Sequence, residues 1–218
     1  MPGMGHEARP RFDGMPRVSV FMPVVMLTTW LILAACAGQP RPAAGARNSE
    51  MVTAKEQKSD ANKPAYMPAI EAAYGAPSQA GFGSAVFFEP ILASDDLAQA
   101  ALAKYKYFTG ELWARLGEEA WMGPWKEVYT RPTGAEADIV AELRGIADPD
   151  AQNSVPMILE NIEGAEKARA ALAVAYDDPA VTELRVFNLG DGEAMSGILV
   201  AGRRGATGEA TFLVFLLD

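Results

Sequence analysis

Cysteine and histidine are nearly missing from this chain: among 218 residues each occurs once, as Cys36 and His6. One thiol cannot close an intramolecular disulfide. A cysteine- or histidine-based zinc site is excluded as well, because it needs several such ligands brought together. Basic residues are also in deficit. Nineteen Lys and Arg face 28 Asp and Glu, giving a formal net charge of −9 and a pI near 4.7. That balance repels phosphate backbones and argues against nucleic acid as a partner. Half of the residues are hydrophobic, so the length allows one domain with a real core plus a tail.

From Val18 to Ala35 the sequence reads VSVFMPVVMLTTWLILAA, without a charge, preceded by Arg9, Arg11 and Arg17. A positive flank, an apolar middle and a small-residue end form the pattern of a secretory signal peptide. A membrane-spanning helix needs about 20 apolar residues. This run lies at the short limit of that range and carries Ser19, Pro23, Thr28 and Thr29, which weighs against spanning.

The run ends in Leu33-Ala34-Ala35-Cys36, which resembles the lipobox of bacterial lipoproteins: a branched residue, two small residues and a cysteine, in that order. The resemblance implies a diacylglyceryl group on the Cys36 sulfur, cleavage just before Cys36, and a further acyl chain on the new amine. Small side chains at Ala34 and Ala35 let a protease approach the backbone, and a thiol is the strongest nucleophile available for alkylation. Each buried methylene contributes about 0.8 kcal/mol, so several acyl chains anchor a protein durably. Ala37, where an aspartate would imply retention, implies the outer membrane, with the protein facing the periplasm. The expected organisation is a signal peptide over residues 1–35, a lipidated flexible tether over 36–65 and a single domain over 66–218. Met15 begins a compact signal of its own, which makes it an alternative start.

Removing residues 1–35 takes away His6, leaving a mature chain with no histidine and, once Cys36 is acylated, no free thiol. Ser-His-Asp and Cys-His nucleophilic sites lose their essential parts. Carboxylate chemistry, Ser-Lys chemistry and plain binding survive, and no Ser-x-x-Lys spacing occurs. Residues 37–65 are rich in Ala, Pro, Ser, Asn, Lys and Glu, with no sustained apolar stripe. This composition suits a flexible tether, with a root-mean-square reach of roughly 30 Å.

Within the domain, AVFFEPI from Ala85 reads as an edge strand or a lead-in segment. Ser94, Asp95 and Asp96 suit a helix start, and Leu97, Ala101, Tyr105, Phe108, Leu112 and Leu116 recur at helical spacing, with a break expected near Thr109. Thr133-Gly-Ala-Glu136 fits a capping box for a helix ending near Asp148-Pro149. A third helical segment is expected after Ser154, with Pro156 in its first turn, divided by Gly164 and stopped by Asp177-Asp178-Pro179. ELRVFNL, AMSGILVAGRR and ATFLVFLLD then read as strands, separated by short Gly-rich turns that demand antiparallel neighbours. The last run is expected to be covered by helices on one face and by tether or partner on the other. The expected fold class is therefore α+β, with N-terminal helices packed on a C-terminal three- to four-stranded antiparallel meander.

Trp113, Trp121 and Trp125 are the tryptophans of the mature chain, and with Tyr129 they form a candidate binding surface. Aromatic faces suit sugars, peptides or partner chains. The competing reading is that they plug a helical core. Glu118 and Glu119 beside them, and Asp138 with Glu142 one turn apart, are carboxylate pairs that a glycan hydrolase would use, while exposed acidic pairs on helices are ordinary. Gly190-Asp-Gly-Glu193 lacks the alternating ligands of a calcium loop and reads as a hairpin turn; Arg203-Arg204 read as the solvent end of a strand. No metal or separate cofactor is expected beyond the covalent lipid. The functional expectation is a periplasm-facing envelope lipoprotein that acts as a binding, accessory or structural component, with a membrane contact through its lipid and an envelope protein as partner. The alternatives are a carboxylate-dependent cell-envelope glycan hydrolase and a carrier of a small apolar ligand held between helices and sheet.

Overall fold

The computed structural model describes residues 63–218. The lipobox residues Leu33, Ala34, Ala35 and Cys36, and the tether as far as residue 62, lie outside the described residues. The chain enters through α1 (Met67–Tyr74) and then forms β1 (Gly83–Pro90). Three consecutive helices follow, α2 (Leu97–Thr109), α3 (Glu111–Leu116) and α4 (Glu118–Met122), then β2 (Lys126–Thr130). A second helical group, α5 (Ile139–Arg144), α6 (Pro149–Leu159) and α7 (Ala165–Tyr176), leads into β3 (Val181–Gly190), β4 (Ser196–Arg204) and β5 (Glu209–Leu217).

The sheet has five strands in the order β1-β5-β4-β3-β2, all antiparallel. This corrects the expected three- to four-stranded meander behind N-terminal helices: two more strands flank the meander, and the helices are interleaved with them. AVFFEPI pairs with β5 from Gly83 opposite Leu216 to Pro90 opposite Glu209. The segment KEVYT, too polar to read as a strand, pairs with β3 at the other edge, where only one side needs a partner.

Helices cover both faces. Because strand side chains alternate, Phe212, Val214 and Leu216 of β5 pack with Tyr105 and Phe108 of α2, while Leu213 and Phe215 pack with α1, α5, α6 and α7. β4 and β5 are buried along nearly their whole length for this reason, with continuous apolar runs over residues 198–201 and 212–217. The last strand was expected to meet tether or partner on its second face; it meets helices there instead.

Arg203 and Arg204 are buried, which corrects their expected place at a solvent-exposed strand end. They point to opposite faces. Arg203 donates to the carbonyls of Leu92, Ala93 and Asp95, fastening the loop that leads into α2. Arg204 donates to the carbonyl of Ala175, pairs with Asp178 at 2.8 Å and lies 4.3 Å from the centre of the Tyr66 ring, fastening the C-terminus of α7. Helix ends carry unpaired carbonyls and negative dipole charge, so a guanidinium fits there. Arg131 does the same from the β2 edge: it grips both carboxylate oxygens of Glu142 at 2.6 and 2.7 Å and donates to the Tyr176 carbonyl at 2.8 Å.

Two helix starts differ from expectation. Gly134 adopts a φ of 79°, which only glycine takes readily, so Thr133 belongs to a turn and Asp138 caps α5 instead. Asp148-Pro149 starts α6 rather than ending α5, with Asp148 accepting from the amides of Asp150 and Ala151, and Pro156 lies inside that helix. Asp148 also accepts from Asn188 of β3 at 2.6 Å and pairs with Lys126 of β2 at 2.6 Å, tying helix to sheet. Burial pushes its carboxyl up, but the bonds from Lys126, Asn188 and Ala151 outweigh burial and hold it at about 2. A depressed carboxyl adds stability above its unfolded value near 4, which is lost as pH falls from about 4 to about 2. Asp148→Asn keeps a capping side chain and removes the charge. The urea midpoint of the wild type should exceed that of the variant at pH 6, and the gap should close by pH 2; a gap independent of pH would refute this role.

Candidate functional site

Gly110 and Gly117, with φ of 54° and 87°, break the helical stripe after Thr109 and again after Leu116. The chain folds back at each break and brings three tryptophans around Tyr105. Trp113 of α3 stacks on Trp121 of α4, with centroids 5.8 Å apart and planes 12° from parallel. Tyr105 meets both edge-on, at 5.3 and 5.8 Å, and stacks on Trp125 at 5.9 Å; Trp125 in turn stacks on Phe187 at 4.6 Å. Such offset and edge-to-face pairs contribute about 0.5–1.5 kcal/mol each beyond area burial. Trp121 is fully buried, and Trp113 and Trp125 are half-buried. The ring faces are turned to one another. Tyr129 is not brought to them, since it packs against the core on the other side of the sheet.

The aromatic plug has a mechanical consequence. The Tyr105 hydroxyl donates to the Gly190 carbonyl at 3.2 Å and accepts from the Gly190 amide at 3.0 Å, and burial pushes its ionisation well up. This fixes the start of the β3–β4 hairpin loop. Asp191 holds the rest: its carboxylate accepts from the amides of Glu193 and Met195, both at 2.9 Å. A side chain at Gly190 would sit 2.2 Å from the Met195 carbonyl oxygen, so glycine is required for the loop to close.

Beside this loop lies a cleft of about 580 Å³. Glu119 and Ala120 of α4, Gly123-Pro124, Asp150 and Asn153 of α6, and Leu189 with residues 191–196 line it. Four acidic residues, Glu119, Asp150, Asp191 and Glu193, line one space, and its lining includes no Lys or Arg. The structure thus joins two features that stood apart in the sequence, Glu119 and the GDGE turn. Asp150 and Asn153 were missed, because their helix was expected to begin after Ser154; the Asp-Pro pair at 148 and 149 was the available signal.

The other candidate acids are structural. Glu118 is exposed, pairs with Lys106 at 2.7 Å and accepts from the Trp113 indole N–H at 3.2 Å. The hydrogen bonds from Lys106 and then Trp113 hold its carboxyl below the usual range. Asp138 caps α5 and Glu142 is bound by Arg131, so the two do not form a pair. Among the described residues, no three Asp, Glu, His or Cys side chains are grouped to hold a metal ion. No helix among them is long and apolar enough to cross a membrane.

The chain matches no family model, no curated protein and no solved structure.

Proposed function

We propose that the chain is a lipid-anchored, periplasm-facing lipoprotein of the outer membrane whose α+β domain works by binding, as an accessory or structural component of the cell envelope. The observation that carries the anchor is Leu33-Ala34-Ala35-Cys36 at the end of an apolar run, with Cys36 the only cysteine in the chain. For the domain, the support is the acidic cleft beside a loop held rigid from both ends. Its uniform sign favours a partner that presents Lys or Arg side chains, because complementary charge raises association rates and suppresses wrong partners.

Glycan hydrolysis by Glu118 or Glu119 has less support. A general acid at neutral pH needs burial to keep its proton, whereas Glu119 is exposed and Glu118 is held ionised by Lys106 and Trp113. An apolar ligand between helices and sheet would compete with the side chains of the two cores that pack there.

The anchor is tested with Cys36→Ser in cells grown with labelled palmitate. The expected result is loss of label from the protein, accumulation of an uncleaved form, and, for chain cut free of its signal, loss of partition into the membrane fraction. Label that persists on the variant would rule out Cys36 as the lipid site.

A further inference from the structure

The β3–β4 loop, one wall of the acidic cleft, begins where the strand ladder stops. β2 pairs with β3 as far as Lys126 opposite Asn188. Continuing that register would set Gly190 opposite Pro124, which has no N–H to donate. A tyrosine hydroxyl is a donor and an acceptor at once. That of Tyr105 takes both backbone groups of Gly190, standing where a strand partner would be.

The ring of the same residue reaches the opposite wall. It meets Trp121 edge-on at 5.8 Å, and Trp121 belongs to α4, the helix whose Glu119 lines the cleft. It also stacks at 5.9 Å on Trp125, which follows the lining pair Gly123-Pro124. The two walls approach each other closely as well, since a Cβ on Gly192 would lie 3.7 Å from the Pro124 ring.

We propose that Tyr105 is the positioning residue of the cleft. Ring and hydroxyl together set the spacing between α4, which carries Glu119, and the loop, which carries Asp191 and Glu193, and through that spacing the affinity for a basic segment. Tyr105 touches no partner itself, since it is fully buried. The proposal rests on the reading of the cleft as a site for Lys or Arg side chains. A loop already held in its bound position loses little freedom on association, whereas a loop ordered anew by each partner subtracts that cost from affinity. Attraction between charges also weakens as their separation grows.

Tyr105→Phe separates the two contacts: the ring keeps its tryptophans, while the N–H and C=O of Gly190 lose their partner. Tyr74→Phe is the matched control. Tyr74 is buried too, and its hydroxyl donates to the Ile158 carbonyl at 2.8 Å in the other core, outside the cleft lining. Both variants are compared with the wild type as full chains in nonionic detergent, by hydrogen exchange read with mass spectrometry and by the anisotropy of labelled hexalysine. In Tyr105→Phe, residues 190–196 should exchange at least tenfold faster and hexalysine should bind about tenfold more weakly; in Tyr74→Phe both should stay at wild-type values. Unchanged exchange in Tyr105→Phe, an affinity that does not fall with it, or an equal loss of affinity in both variants would overturn the proposal. A wild type that does not bind hexalysine would overturn the basic-partner reading instead, and the exchange comparison would then decide the role of Tyr105 by itself.

Discussion

Gly197→Ala is expected to cost about 3 kcal/mol or more of folding stability, a large part of the 5–15 kcal/mol that a domain typically has. Gly197 sits in β4 opposite Leu216 of β5. A methyl group there would lie 2.2 Å from the Phe215 carbonyl oxygen and 3.0 Å from the Leu216 Cα. Both are backbone atoms of the neighbouring strand, which cannot retreat without breaking the ladder in the middle of the sheet. Urea unfolding measures the effect. Gly134→Ala is the comparison: its position has open space but a φ of 79°, so its cost is conformational strain alone, about 1 kcal/mol. Equal costs at the two glycines would show that the close approach of β4 and β5 does not constrain the fold.

Arg204→Ala is expected to cost about 2–3 kcal/mol, since it leaves the buried Ala175 carbonyl without its donor and Tyr66 without the guanidinium packed on it, while the exposed Asp178 carboxylate is taken up by water. The loss comprises the bond to the Ala175 carbonyl, the pair with Asp178 and the packing of the guanidinium on Tyr66. Arg204→Lys should recover less than half, because an ammonium cannot reach several acceptors in one plane or stack on a ring. The network also lowers the carboxyl of Asp178 through its hydrogen bond from Arg204. In Arg204→Ala, therefore, the Asp178 carboxyl should titrate closer to its ordinary value by NMR. A variant as stable as the wild type, or an Asp178 titration that does not move, would mean the arginine is a surface residue with no fastening role.

The same residues show what could be read from the sequence and what could not. The meander of β3, β4 and β5 was legible, because apolar runs joined by Gly190-Asp-Gly-Glu193 and by residues 205–209 leave only antiparallel pairing. The break at Thr109 and the stop after Tyr176 were legible from glycine and from Asp-Asp-Pro. β2 was not, since a short strand at a sheet edge carries charges such as Lys126 and Glu127 that in sequence mark a loop. Arg203 and Arg204 misled for a related reason: charge at a strand end ordinarily means solvent, and only the tertiary fold brings the carbonyls of residues 92–95 and the end of α7 to meet it. Half of the candidate site was visible in the sequence. The tryptophans lay together, but their packing around Tyr105 depends on the chain folding back at Gly110 and Gly117, and the cleft needs Asp150 and Asp191, distant in sequence, to line one space.

The proposed lipid anchor at Cys36 governs how the rest of the chain is read, because it places the start of the mature protein at that residue. Mass spectrometry of the N-terminal peptide from protein extracted from membranes tests it most directly. The account predicts a peptide that begins at Cys36 and carries a diacylglyceryl group on sulfur and an acyl chain on the amine. A peptide that begins elsewhere, or an intact Cys36 with a free thiol, would contradict it.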